Sequence, residues 1–139
     1  MYSLAQDLEQ GVNALREAAV DFEIVGGVAA SAHVLPLHRS RSFVTREIEV
    51  LMRRDARERA AKTIASLDLA EAVHLLFVGE KSKSTQPLPR PELDPEEKDF
   101  LGIAVPVAPL RDLLQMKLNS FRPKDLVHLE ILDKPDVEG

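Results

Sequence analysis

Two glutamates one residue apart, Glu47 and Glu49, follow a pair of glycines, Gly26-Gly27, in a chain that offers few other groups for chemistry. Carboxylates at i and i+2 of an extended segment leave it on the same side. Two such donors suit Mg²⁺, which completes its shell with water and substrate phosphates; Mn²⁺ is the alternative ion. Paired glycines after a strand let the backbone come close to a phosphate, and the following helix N-terminus offers free N–H groups and a positive dipole end. Lys117 lies inside an apolar helical stretch, where a charged head must snorkel or find a partner. This set suits phosphoryl or nucleotidyl transfer, which needs mainly positioning and charge neutralisation. Each residue also has a plainer reading. The glycines make an ordinary turn, the glutamates line the wet side of an edge strand, and Lys117 snorkels to solvent. His74, inside an apolar run, is then a hydrogen-bonded core histidine.

Other chemistries lack their parts. There is no cysteine, and neither Gly-x-Ser-x-Gly nor Gly-x-x-x-x-Gly-Lys occurs. His33, His38 and His128 share no metal-ligand spacing.

The elements that must position these residues follow from periodicity. Ser3 opens a capping pattern, and Leu4, Leu8, Val12, Leu15 and Ala19 recur at helical spacing, so a helix is expected to about Val20. A strand over 22–25 runs into the glycines, and a helix rich in small residues covers 28–34 and stops at Pro36. Residues 47–52 alternate like a half-buried strand. Asp55 and Glu58 form a capping box for a third helix, and 72–78 reads as a further strand. From Glu80 to Phe100 the chain is polar and holds Pro87, Pro89, Pro91 and Pro95, which predicts a long loop. A short strand at 103–105, a helix opening at Pro109 and a shorter helix over 124–132 complete the chain. The expected fold class is α/β (α+β in a strict scheme), with a mixed sheet of about four strands and packed helices, as a single domain over 1–139.

Composition sets outer bounds. The chain is 45% hydrophobic and 29% charged, ordinary for a globular protein. No signal peptide or spanning segment is read, so a cytoplasmic protein without membrane association is expected. The net charge of −5 argues against general DNA binding, although arginines concentrate between His38 and Arg59.

The order Val25-Gly26-Gly27-Val28-Ala29, then Thr45-Arg46-Glu47-Ile48-Glu49-Val50-Leu51, resembles the signature of the nucleotidyltransferase superfamily, the polymerase-β-like group. It is similar to the small bacterial branch that includes abortive-infection and toxin–antitoxin nucleotidyltransferases. The stretch Met116-Lys117-Leu118, then Phe121-Arg122-Pro123-Lys124-Asp125, is similar to that branch's closing lysine helix and Arg-x-Lys-Asp turn. The resemblance implies that Gly26 and Gly27 meet nucleotide phosphates and that Glu47 and Glu49 stand where two metal-binding aspartates stand. It also implies that Lys117 approaches a phosphate, with Arg122, Lys124 and Asp125 behind it. A third family carboxylate, on the next central strand, corresponds to His74. Two functions are implied. One is NMP transfer from Mg·NTP to a protein or RNA acceptor. The other is a catalytically degenerate binding or regulatory module of a toxin–antitoxin or phage-defence pair, with a protein partner or a second copy of itself.

Overall fold

A stripe of Leu8, Gly11, Val12 and Leu15 buries one side of the first helix, α1 (Leu4–Glu17). Helix packing rather than propensity holds such an element in place. The computed structural model describes residues 4–34, 47–81 and 88–120. The elements that follow α1 are β1 (Phe22–Val25), α2 (Gly26–Val34), β2 (Ile48–Met52), α3 (Arg57–Ser66), β3 (Val73–Phe77), β4 (Glu96–Phe100), β5 (Ile103–Val107) and α4 (Leu110–Ser120). The class is the mixed α/β one expected.

The sheet has five strands in the order β3-β2-β1-β5-β4. β1 is antiparallel to β2 and parallel to β5, while β2 and β3 run parallel and β4 and β5 form a hairpin. The register Ile24↔Val50 puts these two residues on one face, where Leu8, Val12, Leu15 and Ile64 close over them. Val25↔Glu49 and Glu23↔Leu51 share the other face. There α2 packs on β1 and β2 and also meets α4. Both faces are covered, so β1 is buried along its whole length.

Four expectations need correction. The sheet gains a fifth strand because β4 lies inside the stretch read as a loop. Its sequence, Glu-Glu-Lys-Asp-Phe, is the charged edge of a sheet, as protected edges are. The hairpin turns at Leu101-Gly102, both at positive φ (55° and 79°), so a leucine fills a place where Asn or Asp would have signalled the turn. The first helix stops at Glu17 rather than Val20, because Ala19 turns left-handed at φ 57° and Val20 N–H donates back to Leu15 C=O at 3.0 Å. The capping box at Asp55 does not form. A 3-10 turn (Arg54–Ala56) leads straight into α3, leaving Ala56 at the cap with helical angles and no side-chain bond. Finally, α2 begins at Gly26, so the glycine pair is its first turn rather than a preceding loop. The capping pattern at Ser3, the first half of the basic stretch (His38 to Arg46), residues 82–87 and the helix expected over 124–132 lie outside the described residues.

Candidate functional site

Gly26 has φ +67°, a conformation natural to glycine, and it bends the chain from β1 into α2. Its strand neighbour Val25 pairs with Glu49. The Glu49 side chain therefore lies over the bend: a Cβ built on Gly26 would sit 2.1 Å from Glu49 Oε2 and 2.8 Å from its Cδ. Glycine is required there twice, once for its φ and once for the space. The carboxylate also rests at the start of α2, where the unpaired N–H groups and the dipole favour negative charge.

Glu47 lies one residue before β2, exposed. Strand alternation sends it to the same side as Glu49. His74 on β3 is in register with Glu49, and its Nε2 lies 3.8 Å from Glu47 Oε1. Gly26, Glu47, Glu49 and His74 thus converge at one end of the sheet, with Gly27 in the adjoining turn of α2. His74 is exposed here, not the core histidine of the plainer reading. His33 is the histidine tied to the fold, donating from Nε2 to Ala108 C=O at 2.8 Å. Lys117 lies on α4, the helix that meets α2; its side chain, and all of Arg122, Lys124 and Asp125, fall outside the described residues.

Among the described residues no three His, Asp or Glu side chains gather into a metal cage. Two adjacent carboxylates nevertheless fit an ion that arrives with a phosphate-bearing substrate, since Mg²⁺ in such sites commonly uses one or two protein carboxylates.

Sequence reasoning missed two further residues, Glu23 and Arg90. Glu23 on β1 is the diagonal neighbour of Glu49 and is 0% exposed. Its Oε1 accepts from Asp94 N–H at 2.7 Å, while Oε2 is buried without a partner. Burial pushes its carboxyl up from 4.5 to about 7, and the acids Asp112, Asp94 and Glu92 add to the rise against the Asp94 hydrogen bond. Asp112 on α4 is also raised, chiefly by burial. The second missed residue is Arg90, half-buried, whose guanidinium feels the charges of Glu80 and Glu49 while burial lowers its pKa. An acid inside the apolar strand Phe22-Glu23-Ile24-Val25 was the available signal for the first. Nothing local marked Arg90.

Of the arginines after β2, Arg53 and Arg54 are engaged in ion pairs. Arg54 grips Glu80 through Nε and Nη2, both at 2.9 Å, and stacks 4.1 Å over the Phe77 ring. Arg53 pairs with Glu92 at 2.8 Å. A cleft of about 320 Å³ lined by Arg16, Phe22, Arg53 and Leu93 lies at the far end of β1 and β2 from Gly26, and Arg16 there is bound to Glu97 at 2.6 Å.

The fold is nucleotidyltransferase-like. Its architecture is similar to the crystal structure of ANT(2″)-Ia, an aminoglycoside nucleotidyltransferase solved in complex with adenylyl-2″-tobramycin. The TM-score is 0.61 at 12% identity, over 88% of this chain and 83% of that one. No family model matches the chain, and no curated protein matches it in sequence. Among the described residues, no helix is long and apolar enough to cross a membrane.

Proposed function

We propose that this chain binds Mg·NTP and transfers NMP to a protein or RNA acceptor, as a member of the small bacterial nucleotidyltransferase branch. The observation that supports this most is the seating of Glu49 against Gly26 at the start of α2, with Glu47 on the same side. Glu47 and Glu49 are the residues that would hold Mg²⁺ or Mn²⁺, and the ion would supply charge neutralisation at the phosphates. Gly26 and Gly27 offer backbone N–H groups at the helix start, and Lys117 is assigned to phosphate charge. The protein is proposed to work in the cytoplasm. Calorimetry with ATP, GTP, CTP and UTP in Mg²⁺ and Mn²⁺ tests the reading. Binding of at least one nucleotide is expected, with Glu49→Ala abolishing it, and flat titrations for all four nucleotides with both ions retire it.

A second reading is a degenerate module that keeps the fold and binds a protein partner, in a toxin–antitoxin or defence pair. Two features favour it: glutamates stand at both of the aspartate positions, and the third acidic position holds His74. Stable capture of a single protein together with no nucleotide binding supports this reading over the first.

A further inference from the structure

The two edges of the sheet are finished differently. β4 closes one with Glu96, Glu97, Lys98 and Asp99, charges that discourage a further strand. β3 closes the other with Val73-His74-Leu75-Leu76-Phe77, which carries no lysine or proline and follows β2 residue by residue without a bulge. Leu75 and Leu76 are only half-buried there, Leu75 on the face of Val50 and Leu76 on that of Leu51. The bonds that end the β2–β3 ladder fix which backbone groups look outward. Ala72 C=O accepts from Ile48 N–H at 2.8 Å, and Val78 N–H donates to Met52 C=O at 2.9 Å. By strand alternation Ala72, His74, Leu76 and Val78 then turn their backbone groups to β2, and Val73, Leu75 and Phe77 turn theirs to the open edge. Val73 N–H and Phe77 C=O are used locally, by Leu69 C=O at 3.0 Å and Glu80 N–H at 3.3 Å. Among the described residues, Val73 C=O, both groups of Leu75 and Phe77 N–H have no partner.

We propose that β3 is the dimer edge of this protein, where a second copy of the chain pairs antiparallel about Leu75 and joins the two sheets into one. The open groups run acceptor, donor with acceptor, donor, and this set is self-complementary across a two-fold axis at Leu75. Each Leu75 exchanges both its groups with the other Leu75, and each Phe77 N–H meets the other copy's Val73 C=O. Every open group thereby gains a partner of opposite partial charge. The side chains agree, since Leu75 lies against Leu75, His74 against Leu76 and Val73 against Phe77, with no like charges directly opposed. β4 turned on itself about Lys98 sets lysine on lysine and Glu97 on Asp99, which leaves β3 as the edge that can pair with itself. An axis perpendicular to the sheet keeps each face on its own side. Leu76 of one copy then lies beside His74 of the other on the face of Glu49, and the two His74 positions become diagonal neighbours about 7–8 Å apart. The pairing gathers both Gly26–Glu49 ends around one axis, and it stands whether or not nucleotide binds there.

Sedimentation equilibrium on the full chain tests the proposal. Wild type is expected at twice the chain mass in the micromolar range. Because residue 75 meets itself across the axis, Leu75→Lys and Leu75→Glu should each weaken the dimer by about tenfold or more. An equal mixture of the two variants should restore it as a heterodimer. If the charged variants do not fold, Leu75→Cys carries the test, since the chain has no cysteine of its own. A short bis-maleimide should link two copies through residue 75 and fail to link Glu97→Cys, which lies on the β4 edge. A wild type that stays monomeric, including one whose edge takes up a strand of another protein instead, overturns the proposal. So does a dimer indifferent to both charges, a mixture that remains monomeric, or equal linkage at residues 75 and 97.

Discussion

Glu49 and Glu23 are diagonal neighbours on one face of the sheet, about 7 Å apart by the spacing of such pairs, and their surroundings are opposite. Glu49 is at the open end, half-buried, over a glycine and at a helix start that favours its charge. Glu23 is at the closed end, with one oxygen tied to the Asp94 N–H and the other buried without a partner. Burial alone raises a carboxyl, and the acids around Glu23 raise it further. The difference teaches that residue type does not assign the role. Side-chain surroundings leave one acid at an open end and turn the other into a clamp for the chain at Asp94.

Breaking the open end at its tightest point has the largest expected effect. Gly26→Ala combines a left-handed residue with a Cβ placed 2.1 Å from Glu49 Oε2, and about 2–4 kcal/mol of stability should be lost in urea unfolding. Adding Glu49→Ala should restore the steric part and leave about 1–2 kcal/mol of backbone strain. A neutral Gly26→Ala would show that Glu49 is not seated there.

The closed end is expected to respond to pH. Glu23 is raised to about 7 in the folded protein, so between pH 4.5 and 7 the native state holds a proton that the unfolded chain has released. Stability is then greatest below pH 4.5 and falls as pH rises through 7, by an amount on the order of 3 kcal/mol from this group. Glu23→Gln should keep the acceptor for Asp94, flatten most of that decline and be the more stable protein at pH 8, as read from unfolding midpoints across the range. Parallel curves for the two proteins would place the titration elsewhere.

Two smaller effects sharpen the contrast. Arg54→Ala removes a two-pronged bond to Glu80 and a stacking contact on Phe77, and because both charges are largely exposed the loss should be only about 1 kcal/mol. Glu47→Gln should change stability by less than about 0.5 kcal/mol, since the residue is exposed. Its effect is expected in Mn·ATP affinity instead, and a variant that melts early but binds normally would reverse that assignment.

Much of this architecture was legible in the chain itself. The strand at Phe22–Val25 matches its expectation at both ends, because a short apolar run against paired glycines leaves little choice of period. β2 and β3 match to within a residue or two at their ends. The proximity of Gly26 and Glu49 could be guessed from resemblance, but the seating of the carboxylate on the α-carbon depends on register, which no single segment encodes. β4 was hidden because an edge strand shows solvent nearly the same composition as a loop. Glu23 escaped notice because its burial is decided by α4 and the chain at Asp94, both more than 60 residues away. Arg90 escaped for the same reason, since its partner Glu80 belongs to the turn after β3.

The fit of Glu49 onto Gly26 ties two positions into one unit of variation. Shortening residue 49 to aspartate opens room above the α-carbon without relieving the unusual φ, so glycine remains necessary while the carboxylate retreats by one methylene. Enlarging residue 26 stays strained even after residue 49 has shrunk, because the left-handed φ is unchanged. Residue 49 is thus free to change length while residue 26 is held by its backbone, so variation at this end of the sheet runs through the acid and not through the glycine.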